Sequence, residues 1–358
     1  QTWAEARRDT PSNPCRSFAY TAFRARTDRQ MPIDPADVEL KVGASPQLQN
    51  SRLKISDGAG LFLYTWAPTG APCGIVQIVH GMAEHAGRYS GLATALTAQG
   101  WAVVAHDHRG HGETMSADTT AGDQGHFADE TGWDTAVDDV NAVGLHARTL
   151  WPGSILVRLG HSMGSTLSLR TLHKYPGSVD GCILTGACGI VGIMRVLGMI
   201  PARIECWRQG KRGKSKLLDF LSFSAFNNAF KPARTPFDWL SKDPEEVDTY
   251  INDPKCGFLV TNQHWYDHLI GIGEAYDPQN LAKIPKDLPV RWIIGGMDPV
   301  SKGATQLPPA ITAMQNAGMT EVTQRCWPDG RHELLKDVER DEVTADILAW
   351  LEGLLPSD

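Results

Sequence analysis

The chain has 358 residues, 42% hydrophobic and 21% charged, enough apolar content to bury a large core. A net charge of −7 and a pI near 5.9 exclude the basic balance of nucleic-acid binders. No apolar run approaches the roughly 18 residues that span a bilayer.

Residues 1–48 carry several Pro and Arg residues with little periodicity, and read as an N-terminal extension. The first strands fall at 52–55 and 61–66, with Asp57-Gly58 between them as a hairpin turn. Then the rhythm changes. Apolar strands at 74–80, 101–106, 155–159 and 179–185 alternate with helices at 89–99, 132–150 and 163–173. Near-continuous apolar strands alternating with helices imply a parallel sheet covered on both faces.

The alternation stops over 190–263, which holds Met194, Met199, Trp207, Phe220, Phe223, Phe226, Phe230 and Trp239, with a basic run at 208–216. It resumes with a strand at 290–294, a helix at 305–316, a strand at 321–326 and a helix at 338–354. The chain therefore divides into an extension (1–48), a core (49–189), an insertion (190–263) and the rest of the core (264–358).

Seven cysteines (Cys15, Cys73, Cys182, Cys188, Cys206, Cys256, Cys326) are scattered without a Cys-x-x-Cys pair. That pattern argues against a disulfide framework and a structural zinc site. It favours a reducing, cytoplasmic setting, although a chain opening at Gln1 is also compatible with a removed leader.

The apolar run 156–159 leads into Gly160-His161-Ser162-Met163-Gly164, and a helix-compatible stretch follows. Strand, sharp turn, helix is the setting in which a serine becomes an exposed nucleophile. The pentapeptide alone is weak evidence, because a serine needs a base to take its proton and an acid to orient the base. Functional groups in parallel sheets gather at the carboxyl ends of strands. Strand 290–294 runs into Gly295-Gly296-Met297-Asp298-Pro299, and strand 321–326 into Trp327-Pro328-Asp329-Gly330-Arg331-His332-Glu333. Alone, Asp298 could start a turn and His332 could be a loop residue. Together they complete the order Ser162, Asp298, His332 as nucleophile, acid and base. Asp329 competes as the acid but sits on the histidine's own strand end, and Glu333 is adjacent to the histidine and directed elsewhere.

A developing oxyanion needs donors. One is the N–H of Met163, the residue after the nucleophile. The other is the N–H of Met82 in His80-Gly81-Met82-Ala83-Glu84-His85, unless this is only a glycine-containing turn. Such chemistry requires no metal and no cofactor.

Four segments together resemble the monoacylglycerol lipase and lysophospholipase branch of the α/β-hydrolase superfamily, the serine aminopeptidase-like hydrolases. They are His80 to His85 with Arg88-Tyr89, Asp107-His108-Arg109-Gly110-His111-Gly112, Gly160 to Gly164, and Arg331-His332-Glu333-Leu334. The likeness runs from about residue 53 to 355. It implies an α/β-hydrolase fold, with an eight-stranded, mostly parallel sheet, helices on both faces and a cap inserted before the acid-bearing strand. It also implies hydrolysis of carboxylic esters with a single acyl chain, and a packing role for the 107–112 loop. Ser165 departs from the family's frequent glycine.

The expected partner is a small-molecule acyl ester, not nucleic acid; oligomeric state is not legible. The same triad could instead serve an acyltransferase or an amidase, and a non-catalytic binding module is the third reading. Cap aromatics and methionines either line an acyl pocket or pack the cap. The basic run is either a weak contact for an anionic lipid surface or a solvated loop. Without flanking helical apolar spacing it does not read as a membrane-binding helix.

Overall fold

In the computed structural model, strand β1 (Gln47–Lys54) turns back on β2 (Gly60–Ala67) through Asp57 and Gly58. Gly58 takes φ +94°, and the Ala59 N–H donates to Asp57 Oδ1 at 3.0 Å. The residues described are 47–117 and 123–355. All but the last two residues of the expected N-terminal extension lie outside them, and those two belong to β1.

The core continues as β3 (Gly74–Val79), α1 (Ser90–Ala98), β4 (Trp101–His106) and the short α2 (Gly112–Ala117). It goes on through α3 (Gly132–Leu150), β5 (Leu156–His161), α4 (Met163–Lys174) and β6 (Gly181–Thr185). Helix α3 matches its expected limits because Val137, Val140, Val143 and Ala147 bury one stripe at helical spacing. Asp134 in its first turn complements the helix dipole.

Between β6 and the next strand lie α5 (Ile193–Gln209), α6 (Lys216–Leu221), α7 (Phe223–Phe226), α8 (Pro244–Asn252), α9 (Asn262–Ala275) and α10 (Pro278–Leu281). Ser215, Asp243 and Thr261 cap α6, α8 and α9, each accepting from a first-turn N–H. Helix α9 packs on α5 on one side and on α3 and α4 on the other, so the expected limit at 263 falls inside a helix that joins insertion to core. The fold closes with β7 (Val290–Gly295), α11 (Leu307–Asn316), β8 (Val322–Trp327) and α12 (Arg340–Glu352).

The eight strands form one sheet in the order β1-β2-β4-β3-β5-β6-β7-β8. Only the β1–β2 and β2–β4 pairs are antiparallel. Alternate residues of each central strand feed opposite faces. Ile75, Val104, Leu156, Leu184 and Trp292 join one cluster, while Val76, Val103, Val157, Ile183 and Ile293 join the other. Both faces are buried, which is why the strands read as continuous apolar runs. Each such side chain contributes about 1.5–3 kcal/mol by leaving water. Gln77 and Arg158 interrupt this core with polar groups: Gln77 Oε1 accepts from Arg158 Nε at 3.0 Å, Gln77 Nε2 donates to Val140 O at 2.7 Å, and Arg158 Nη1 is buried without a partner among the described residues. Burial pulls the Arg158 guanidinium down to about 10.

Two expectations need correction. The basic run has a helix with apolar spacing directly before it: in α5, Ile193, Met194, Val196, Leu197, Ile200, Ile204 and Trp207 are exposed at recurring three- and four-residue intervals. Gly198 and Pro201 inside the helix masked the pattern. The run itself is engaged within the molecule. Arg208 pairs with Glu205, while Arg212 pairs with Asp123 and Asp129. Among the cysteines, Cys326 is disulfide-bonded, whereas Cys73, Cys182, Cys188, Cys206 and Cys256 are free. Spacing could not reveal this, because a disulfide depends on proximity in the fold rather than in sequence.

Candidate active site

Ser162 lies between β5 and α4 with φ +54° and ψ −120°, a conformation that costs a non-glycine residue of order 1–3 kcal/mol. The surrounding structure holds it there. The Ser162 N–H donates to Thr185 O at 2.9 Å, and the glycines on either side let strand and helix close in. A Cβ at Gly160 would lie 2.5 Å from Gly164 O, and one at Gly164 would lie 2.0 Å from Val79 O. Ser165 fits where a glycine was expected because it is small and its hydroxyl donates to Ser162 O at 2.6 Å.

At the ends of β7 and β8, His332 Nδ1 lies 3.0 Å from both Oδ1 and Oδ2 of Asp298. Both side chains are buried. The Val300 N–H donates to Asp298 Oδ1 at 2.9 Å, which fixes the carboxylate in the turn after β7. Burial pushes His332 down, but the charge and hydrogen bond of Asp298 outweigh it and leave the imidazole above its ordinary 6.5. Asp329, the competing acid, is exposed.

Ser162, His332, Met82 and Gly81 line one cavity, together with Glu84, His161, Phe223, Trp239, Leu240, Tyr250 and Glu333. Ser162 and His332 therefore face the same space, with Asp298 behind the histidine. From the insertion, Phe223, Trp239, Leu240 and Tyr250 reach this space, and the Phe223 and Trp239 rings stack 5.9 Å apart. Trp239 also lies 5.0 Å from the His332 ring. Trp207 and Phe220 face outward.

Met82, in the loop after β3, and Met163, the first residue of α4, are the expected oxyanion donors beside Ser162. Neither N–H donates to a protein acceptor among the described residues. The preceding Gly81 N–H donates to Glu84 Oε1 at 2.5 Å. Ala83 takes φ +54°, held by the Tyr250 hydroxyl and the Gly257 N–H, which donate to its carbonyl at 3.1 and 2.9 Å.

A buried ion network missed by the sequence reading braces these loops. Arg88 donates to Glu84 Oε2 at 2.7 Å and to both oxygens of Glu333 at 2.7 and 2.8 Å. Tyr89 donates to Glu84 Oε1 at 2.9 Å. Burial raises the Glu333 carboxyl, but the Arg88 guanidinium overrides it and holds the group at about 2. Glu333 is tied to Arg88 and also lines the cavity that holds Ser162 and His332. The available signal was four charged or phenolic residues, Glu84, Arg88, Tyr89 and Glu333, within the two site loops.

Next to the 80–85 loop sits a layer of buried histidines. His80 and His108 lie 4.0 Å apart, and His111 and His264 5.7 Å apart. Desolvation lowers all four, so the layer is neutral near pH 7. His264 Nε2 contacts Met163 Sδ at 3.2 Å. Arg109 binds Asp139 through Nε and Nη2 at 2.6 and 2.9 Å. Asp107 accepts from the N–H groups of Ala86 and Glu113. The 107–112 loop thus supports the site and does not line the cavity.

The profile of the family described as serine aminopeptidase, S33, matches residues 70–339. A monoacylglycerol lipase of Mycolicibacterium smegmatis is 27% identical over 306 residues, covering 82% of this chain and 93% of its own. A monoglyceride lipase of Rattus norvegicus is 30% identical over 303 residues, covering 82% and 86%. A thermostable carboxyl esterase from Bacillus coagulans, solved with glycerol, superposes with a TM-score of 0.78 at 24% identity, covering 86% of this chain and 99% of its own. That last likeness is one of fold: the eight-stranded sheet and its helices are those of an α/β-hydrolase.

Proposed function

The chain belongs to the serine aminopeptidase S33 family and is a carboxylic ester hydrolase, and on that premise we propose that it cleaves single-chain acyl esters through an acyl-enzyme on Ser162. The substrates are of the monoacylglycerol or lysophospholipid type. The observation that carries this reading is Ser162 in its strained turn, sharing a cavity with a histidine that Asp298 holds.

His332 removes the Ser162 proton as Oγ attacks the ester carbonyl, and Asp298 stabilises the imidazolium that forms. The tetrahedral oxyanion accepts from the Met82 and Met163 N–H groups, which are held in place before the reaction begins. The alcohol departs with the proton from His332. Water, deprotonated by the same imidazole, then hydrolyses the acyl-enzyme and restores the serine.

Residues 190–263 act as a cap, and the names of the two lipase relatives favour glycerol as the head group. The outward apolar stripe of α5 is the surface through which the cap meets lipid.

The test is a series of monoacylglycerols, lysophospholipids and diacylglycerols of graded chain length with the purified chain. The reading expects turnover of single-chain esters and little of diacyl ones. Equal turnover of both, or none of any single-chain ester, contradicts it.

A further inference from the structure

Outside the cavity, a second set of side chains converges at the seam between the oxyanion loop and the segment after α8. His85 Nε2 lies 2.8 Å from Asp253 Oδ2. The residues from Asp253 to Cys256 form a tight turn in which the Cys256 N–H donates to Asp253 O at 2.9 Å. An Asp-x-x-Cys turn of this kind presents a carboxylate and a thiol to the same side, much as a Cys-x-x-Cys turn presents two thiols. The Lys255 N–H donates to Asp253 Oδ1 at 2.8 Å, which aims the other oxygen at His85. One ligand atom from each of His85, Asp253 and Cys256 lies within 4.8 Å of the others.

We propose that His85, Asp253 and Cys256 form a binding site for one divalent ion of the zinc type. Its ligands are an imidazole nitrogen, a carboxylate oxygen and the Cys256 thiolate.

The donor set suits the ion. Nitrogen, oxygen and sulfur ligands bind zinc at about 2.0–2.3 Å, which places tetrahedral ligands roughly 3.3–3.7 Å apart. The present spacing reaches that range by small side-chain movements. Three protein ligands leave one position for solvent. Ligation replaces the thiol proton of Cys256, which passes to buffer. His85 Nδ1 is buried without a hydrogen-bond partner among the described residues, and the ring's hydrogen bond is the one to Asp253.

The local charge also favours a cation. The Arg88 guanidinium, which faces Cys256, is already neutralised by Glu84 and Glu333. The Lys255 ammonium is engaged by Glu113. Asp253 supplies a further negative charge.

The position gives the site a consequence. Tyr250 and Gly257, on either side of the Asp-x-x-Cys turn, both bind the carbonyl of Ala83, next to the proposed oxyanion donor Met82. An ion joining His85 to this turn tightens a clamp on the oxyanion loop.

The experiment strips the full chain with a chelator and titrates it with Co²⁺, followed by Zn²⁺. The site predicts one Co²⁺ per chain, a thiolate-to-cobalt charge-transfer absorption, and its loss on adding Zn²⁺. Cys256→Ser removes the absorption, and Asp253→Asn weakens Co²⁺ binding at least tenfold. Zn²⁺ raises the melting temperature of the parent chain, a readout that requires no variant. Absence of saturable binding, or a cobalt spectrum unchanged in Cys256→Ser, overturns the proposal.

Discussion

Arg88 and Glu333 meet through two parallel hydrogen bonds, Nη1 to Oε1 at 2.7 Å and Nη2 to Oε2 at 2.8 Å. This one ion pair joins the loop that carries Met82 to the loop that carries His332. Arg88 also holds Glu84, whose carboxylate fixes the Gly81 N–H beside Met82, and Glu333 directly follows His332. The proposed oxyanion loop and the histidine loop are therefore positioned together.

Removing Arg88 leaves two buried carboxylates without their cation. Arg88→Met is expected to cost about 3–5 kcal/mol, the range for breaking a buried ion pair from one side. Urea denaturation measures the loss, and kcat falls more than KM rises. Acid has the same origin of effect. Glu333 titrates near 2 in the folded chain against an ordinary 4.5, so its contribution is complete above 4.5 and is lost as the pH falls toward 2. The parent chain should lose stability over that window, and Arg88→Met should lose much less there.

The raised His332 would set the acid limb of the activity profile. The base must be neutral to accept the Ser162 proton, so kcat/KM rises as the pH passes an apparent pKa above 6.5. Stability has the opposite sign: the Asp298–His332 interaction contributes fully below 6.5 and fades as the pH rises through the folded value. Asp298→Asn removes the charge that raises the pKa. Its profile shifts to lower pH and kcat drops by about 10⁴, the loss seen when a triad acid becomes an amide. A pH series on both proteins with one soluble ester checks both effects.

Trp239, from the 190–263 insertion, lines the cavity, stacked on Phe223 and 5.0 Å from the His332 ring. Trp239→Ala opens that wall. It is expected to cost about 3–5 kcal/mol of stability and to move the preferred acyl length upward. The chain-length series of kcat/KM reads the shift. An unchanged optimum in a folded variant excludes Trp239 as a wall of the acyl site.

The stripe on α5 gives a separate prediction. Ile200 is 54% and Trp207 87% exposed, and each large apolar side chain contributes about 1.5–3 kcal/mol when it leaves water. Ile200→Asp with Trp207→Asp should reduce binding to zwitterionic phospholipid vesicles at least tenfold. Hydrolysis of a soluble short-chain ester should stay near the parent level. Because Arg208 and Arg212 are paired within the molecule, added salt should weaken vesicle binding only slightly.

Much of the core was legible because its strands are buried on both faces and its helices keep one apolar stripe. The strand after α3, the turn at Ser162 and the loops bearing Asp298 and His332 all announced themselves through that contrast. The insertion was opaque for a physical reason. Helix α5 turns its apolar residues outward and carries Gly198 and Pro201 within it, so it resembles neither a core helix nor a loop. The braces of the site were hidden as well. Arg88 and Glu333 are 245 residues apart, and a sequence does not display which charges the fold will pair.

The nucleophile itself is the most direct point of attack. A fluorophosphonate serine probe applied to the folded chain, followed by peptide mass spectrometry, should place a single adduct on Ser162. Ser162→Ala should take no label and should lose turnover of p-nitrophenyl esters. A label on another serine, or near-parent turnover by a folded Ser162→Ala, contradicts the account.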